Sequence, residues 1–544
     1  MQNDQIFAPV VLVTNTAPMT AAAYGGRAKC AQRLIRLDMP VPITVALSFE
    51  AVHELAQGHA LDLDLVLPHF GVAPLLSVRP SSGSPDWGGP GAILNIGMND
   101  VKFSELCESH GETAAATLYL RFINAYATHV ARLDPDAFDD PETPNAGDVI
   151  KALTTYSDEA DEPFPQEVDV QLAHVLRSMA RAWEGTSARL LRQAKGAPVD
   201  AGLGLVVQAM AIGVGRGECG SGVIQFASSD TGLPEIHGRY LRQSQGREAL
   251  DRQVGSLYLT KDPRGPSFEE TCPEAFAQLL EYSVLARKRL REEMQIEFTL
   301  ESGKLAILDA VRIVRSSSAA VHIAVDLARD GIIPREDALM RVDPKALSEL
   351  LHRQVAPNAP RTVLAKGIAA SPGAATGKIV FTASDAQASA ARGEAAVLVR
   401  RETGPEDIRG MHSVVAVLTE RGGVTSHAAV IGRGLGLPCV VGASDMSIDG
   451  QKKSIIGRNQ QILREGDVIT VDGTHGEVLV GHVETVEAGL NTAVTTLLGW
   501  ADELRDIGIR ANADTPRDAQ TAKNFMADGI GLCRSEHMFF EADR

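Results

Sequence analysis

Cysteine is scarce in this 544-residue chain: six residues, at positions 30, 107, 219, 272, 439 and 533, with no CxxC pair among them. No histidine cluster has metal-ligand spacing either, so neither a disulfide scaffold nor a structural zinc site is indicated, and reduced thiols are expected. Aromatic residues are only 5% of the chain, but 44% hydrophobic and 22% charged residues give ample material for several cores. Disorder and collagen-like architectures are therefore excluded. Positive charge is short as well: 52 Lys and Arg against 69 Asp and Glu leave a net charge of -17. That balance argues against a nucleic-acid-coating or anionic-membrane protein. Long apolar runs are missing; stretches such as Val414–Leu418 fall far short of the roughly 20 residues of a membrane span. Met1–Val13 carries Asp4 and no basic residue, so no secretory leader is read and the cytosol is the expected compartment.

The length predicts roughly three or four domains. A first region, residues 1–350, mixes short β-like runs (Leu75–Val78, Val206–Met210, Gly222–Phe226, Ile296–Leu300, Leu305–Leu308) with helical patterns over Gln171–Gln193, Ala275–Met294 and Ala319–Arg329. In the last of these, Val321, Ala324, Val325 and Ala328 share one face, and Gly331 follows as a C-cap candidate. The expected class is multidomain α+β and α/β. A polar stretch around Arg353–Arg361 reads as a linker, placed at 351–362. Residues 363–484 then alternate Gly-Pro turns with β-branched runs and form a compact β/α domain. Within it, Val468–Val471 and Glu477–Val480 flank Asp472-Gly473-Thr474-His475-Gly476, a hairpin signature. A helical connector is expected over 485–499, and 500–544 begins a further element.

The segment richest in chemistry is Gly422-Gly423-Val424-Thr425-Ser426-His427-Ala428-Ala429-Val430-Ile431. It reads as a glycine loop after the strand Val414–Leu418, with a helix capped by Thr425 or Ser426. His427 then sits in the first turn, where unpaired N–H groups welcome an anion such as phosphate. The same field disfavours imidazolium and keeps the ring a nucleophile.

This segment resembles the phosphohistidine loop of the enzymes that interconvert phosphoenolpyruvate (PEP) and pyruvate, most closely the pyruvate, phosphate dikinase family. Ala369–Gly377 resembles the opening of that family's histidine domain, and Thr403–Asp407 and Gly466–Thr474 resemble later landmarks. Arg510–Pro516 and Gly529–Phe540 resemble the opening of its PEP/pyruvate barrel. The resemblance implies an N-terminal ATP-grasp-like domain, a swivelling phosphohistidine domain and the start of a (β/α)8 barrel. It implies that His427 carries the phosphoryl group, with Thr425 and Ser426 in regulatory or supporting positions. Arg510 and Arg534 match the arginines that grip the PEP phosphate, a task suited to bidentate guanidinium groups. Since the sequence ends at Arg544, just inside that barrel, an incomplete PEP/pyruvate half-reaction is expected, with a protein partner as one source of the missing part.

In the ATP-grasp-like region the resemblance assigns Arg27, Arg79, Gln208, Glu297 and Asp309 to nucleotide binding. Arg27 stands where the family has lysine and Asp309 where it has glutamine. Arg239 and Arg247 replace acids, and Val311 replaces an arginine. Glu297 and Asp309 flank Gly303 on an expected hairpin and could hold one Mg2+, the metal expected with ATP. No organic cofactor is expected. The implied small-molecule partners are ATP, phosphate and PEP or pyruvate. Two functions follow: a phosphotransferase working through His427, with 351–362 and 485–499 as hinges, or a catalytically degenerate paralogue that binds nucleotide and acts as a regulatory partner.

Overall fold

A computed structural model describes residues 7–84, 87–246, 255–344, 347, 350, 352–356, 359–404, 407–423, 426–449, 452–458, 460–486 and 492–534. The chain forms two units, Met1–Ser229 with Leu233–Val314, and Asp230–Gly232 with Arg315–Arg544. The first boundary thus falls at Val314, before the position near 350 at which composition shifts.

The first unit contains two antiparallel sheets. Strands β1 (Val10–Leu12), β2 (Thr44–Leu47), β3 (Leu76–Ser82), β4 (Ile93–Ile96) and β5 (Leu203–Ala209) pair in the order β1-β2-β5-β3-β4. Their apolar faces, Val45, Leu47, Leu76, Val78 and Val207, pack with Leu118, Phe122, Leu172 and Leu176 from helices. Strands β6 (Gly220–Ala227), β7 (Pro234–Arg242), β8 (Met294–Glu301) and β9 (Lys304–Arg312) pair in the order β7-β6-β8-β9 around a core of Ile224, Tyr240, Phe268, Phe298 and Ile307. The β8–β9 hairpin turns through Ser302 (φ 48°) and Gly303 (φ 79°), a pair of left-handed residues that matches the strand twist.

Two helical expectations are corrected. The apolar stripe over Gln171–Gln193 is broken at Gly185 into Val168–Glu184 and Thr186–Ala194. The pattern over Ala275–Met294 ends as Pro273–Ala286 and a π turn at Arg287–Arg291, while Met294 already belongs to β8. Periodicity alone does not register glycine's weak helix preference or the start of a strand.

The second unit opens with the helix Ser317–Arg329, whose buried Val321, Ala324 and Val325 lie at helical spacing; Gly331 follows at φ 67°. Strand β10 (Gln354–Val355) lies inside the segment read as a linker. It pairs with Thr485–Val486, the start of the expected helical connector, whose helix runs from Thr492 to Leu504. Between them lies an eight-stranded sheet of β11 (Val363–Lys366), β12 (Ile368–Ser371), β13 (Ala374–Val380), β14 (Ala396–Arg400), β15 (Ala416–Thr419), β16 (Cys439–Val441), Val468–Asp472 and Glu477–Val480. Their order is β11, Glu477–Val480, Val468–Asp472, β13, β14, β15, β16, β12, with β13 to β16 parallel. The two ends of this order, β11 and β12, are separated in sequence by Gly367 alone. Arg510–Ala511 and Gly529–Ile530 pair in parallel across the helix Pro516–Asn524, a βαβ unit. Among the described residues no helix is long and apolar enough to cross a membrane.

Candidate functional site

The parallel strands β13 to β16 are joined by helices, and the loop leaving β15 carries the histidine. Gly422 takes φ 118°, and a Cβ there would meet the Ser426 side chain at 3.1 Å. Beside it, Gly442 (φ 64°) brings its Cα so near the loop that a Cβ would lie 2.6 Å from the Gly422 carbonyl oxygen. Glycine at these two positions lets the loop fold back onto the end of β16. Ser426 then caps the helix His427–Leu435: its hydroxyl accepts from the Ala429 amide at 3.4 Å, and its carbonyl accepts from Val430 at 3.0 Å. Ala428 and Ala429 are buried, whereas His427, the first helical residue, is exposed. No acidic side chain occupies the first turn. Among the described residues the amides of His427 and Ala428 have no acceptor, so two donors and the positive helix end flank the ring. Thr425 and Val424 lie outside the described residues.

The floor under this helix is also fixed. Cys439 Sγ donates to the Ala428 carbonyl at 3.5 Å, and Arg433 donates to the Ala370 carbonyl at 2.9 Å. Burial pushes the Cys439 thiol up to about 12, the nearby Arg433 charge opposing it. Next to β15, Asp407 accepts from the Gly404 amide at 3.1 Å and from Arg400 Nε at 3.1 Å, which ties down the landmark Thr403–Asp407; Pro405 and Glu406 lie outside the described residues. In the Asp472–Gly476 hairpin, buried Asp472 accepts from the Thr474 and His475 amides at 3.1 and 3.0 Å.

In the first unit the residues expected at a nucleotide site lie around β3, β8 and β9. Glu297 and Asp309 are direct cross-strand partners, in one row with Val223 and Arg239 across β7-β6-β8-β9. Both carboxylates are 2% exposed, and each is held by an arginine: Arg27 Nε donates to Asp309 at 2.6 Å and Arg79 Nη2 to Glu297 at 2.6 Å. Burial works against the Arg27 charge, but Asp309, with help from Glu297, outweighs it and raises the Arg27 pKa. Gln208 is buried on β5, donating to Thr44 Oγ1 at 3.0 Å, and shares a narrow cleft with Arg79. Arg27, Asp309 and Val311 border a cavity of about 440 Å3. Arg239 lies over the Tyr258 ring at 4.8 Å, while Arg247 lies outside the described residues.

Both carboxylates take part in ion pairs. Each is already engaged by a guanidinium, and among the described residues no group of three or more His, Cys, Asp or Glu could hold a metal.

Sequence reasoning missed what shapes the Gly25-Gly26-Arg27 turn. Gly25 (φ 85°) interrupts the helix Ala21–Ile35, and a Cβ there would lie 1.8 Å from the Ser81 carbonyl oxygen. Ser81 Oγ accepts from the Ala28 amide at 3.1 Å and donates to the Tyr24 carbonyl at 2.7 Å, clamping the break. Arg27 also donates to the Pro80 carbonyl. The signal was present in the buried Ser81 following Arg79, but only strand pairing places it against a residue 56 positions earlier. Cys30 was likewise unassigned; it donates to the Ala310 carbonyl at 3.0 Å. Burial, reinforced by Asp309, pushes its thiol up to about 12 against that hydrogen bond.

Arg510 and Arg534 are exposed on the βαβ unit at the end of the chain. Arg510 lies on its first strand, and Arg534, beyond its second, donates from its amide to Asp514 at 2.6 Å. Residues 535–540, the rest of that landmark, lie outside the described residues.

Residues 393–476 match the family described as PEP-utilising enzyme, mobile domain, and residues 489–544 match PEP-utilising enzyme, PEP-binding domain. Pyruvate, phosphate dikinase of Rhizobium meliloti (strain 1021) is 37% identical over 86% of this chain and 55% of its own length. That of Clostridium symbiosum is 36% identical over the same shares, and the chloroplastic protein of Flaveria pringlei is 34% identical over 86% of this chain and 50% of its own. The chain thus spans about half the length of the curated relatives it matches. Over the part it spans it is a homologue of the pyruvate, phosphate dikinases, its mobile-domain match containing His427 and its PEP-binding match containing Arg510 and Arg534.

Proposed function

We propose that this protein is a dikinase-like phosphotransferase in which His427 accepts a phosphoryl group from ATP and passes it on. The observation that carries this is an exposed imidazole on the first residue of a capped helix, beside two amides with no acceptor, within the mobile-domain match. A lone pair on an imidazole nitrogen forms the P–N bond while phosphorus loses its bridging oxygen, which departs with the other electron pair on the nucleotide or phosphate product. The helix N-terminus stabilises the charge on the phosphoryl oxygens. Arg27 is a cation at the cavity wall for a polyphosphate chain, Arg79 lies behind it paired with Glu297, and we infer that Mg2+ arrives on the phosphates of the nucleotide. Arg510 and Arg534 contribute part of a PEP-phosphate site.

A second reading, a degenerate nucleotide-binding or regulatory protein, is favoured by one observation: Asp309 and Glu297 are both neutralised by arginine, with Val311 at the cavity wall. One experiment separates the two. The chain is incubated with γ- or β-labelled ATP, Mg2+ and phosphate. Acid-labile, base-stable label in the wild type that is absent from His427→Asn supports transfer. Nucleotide binding without label supports the degenerate reading.

A further inference from the structure

The helix Val168–Glu184 buries Leu172, Val175, Leu176, Met179 and Trp183 and turns His174, Arg177, Ser178 and Arg181 the other way. These four lie at spacings of three and four, so they form one stripe. That stripe borders a cavity of about 300 Å3, closed on another side by Arg132, which ends the π turn Ala127–Ala131 at φ 64°. Buried Tyr126 and Tyr156 contribute to its wall. Tyr126 Oη and His174 Nδ1 share a hydrogen bond of 2.6 Å. Burial above all raises the pKa of that phenol.

What sets this cavity apart is unspent positive charge. In a chain with 69 acidic residues, Arg132, Arg177 and Arg181 have no side-chain hydrogen bond or ion pair among the described residues. Arg177 Nε is shielded from solvent and still has no acceptor. A buried donor left unpaired is costly, and solvent or a bound anion in the cavity would satisfy it. Against three guanidinium groups the cavity offers one carboxylate, the exposed Glu162. Three guanidinium groups lining one cavity suit the three terminal oxygens and double charge of a phosphate. The tyrosine-lined wall suits an organic body behind it.

We propose that this cavity binds a small phosphomonoester, separately from the nucleotide and histidine sites. The test is calorimetric titration of the full chain with phenyl phosphate, using malonate as a dicarboxylate comparison. Wild type is expected to bind phenyl phosphate at one such site, and His427→Asn is expected to bind it equally well. Arg177→Gln and Arg181→Gln should each weaken binding at least tenfold; Arg181 is exposed, and its variant is expected to keep the wild-type thermal midpoint. The proposal is overturned if wild type shows no binding at millimolar phenyl phosphate, if His427→Asn abolishes it, or if Arg181→Gln leaves it unchanged. Malonate binding as tightly as phenyl phosphate overturns the assignment to phosphate.

Discussion

Arg79 and Glu297, 218 positions apart in sequence, form a buried ion pair at 2.6 Å, with Arg79 also donating to the Leu308 carbonyl at 3.3 Å. The contact joins β3 of one sheet to β8 of the other. Glu297→Gln leaves the guanidinium buried without its counter-charge and is expected to lower unfolding free energy by about 3–5 kcal/mol. The double variant Arg79→Met, Glu297→Met should recover most of that loss. Urea midpoints of the two variants read this directly; a Glu297→Gln cost below about 1 kcal/mol would show the pair to be open to water.

Glycine at 25 is required by space as well as by φ. Gly25→Ala places a methyl group 1.8 Å from the Ser81 carbonyl oxygen, so β3 or the helix must move. Gly58 is also left-handed (φ 99°), but a Cβ there meets nothing within 4 Å. Gly58→Ala is expected to cost about 1–2 kcal/mol and Gly25→Ala well beyond that, with nucleotide binding lost alongside. Equal thermal shifts for the two would contradict the Ser81 clamp.

At the histidine loop, Ser426→Ala removes the side-chain cap and is expected to cost about 1 kcal/mol. Labelling of His427 should slow, because the first turn that presents the ring frays. A labelling rate identical to wild type would show that the cap does not position the imidazole.

The thiols of Cys30 and Cys439 should make stability fall in alkali. Their ordinary value is 9.0 and burial raises both to about 12, so the unfolded chain ionises first. Their contribution is fully present below pH 9 and is lost as pH rises from 9 towards 12. The variant Cys30→Ala, Cys439→Ala should flatten that part of the pH profile, read by urea titration at stepped pH. A slope unchanged in the variant would assign the alkaline loss to other groups.

The sequence was most legible where local rules decide the outcome. Ser426 ahead of Ala-Ala-Val-Ile marks a helix start, Asp472–Gly476 marks a hairpin, and both form as read. Legibility failed where distant strands meet. Nothing in Arg27 or Arg79 alone reveals that each is matched to one carboxylate on β8 or β9; that follows from sheet order. The pairing of Gln354–Val355 with Thr485–Val486, some 130 positions later, was illegible for the same reason. Arg177 escaped notice because an arginine on the polar side of an amphipathic stripe reads as solvated unless its surroundings are known.

The sheet beneath His427 has one further consequence. Its first and last strands in hydrogen-bonding order, β11 and β12, are successive in the chain, joined through Gly367, whose carbonyl lies so close to Gly476 that a Cβ there would meet it at 2.5 Å. The ladder therefore curls round until its two rims adjoin, and it offers little free edge on which a foreign strand could zip. Closure of this kind gives the ring at its surface a rigid base.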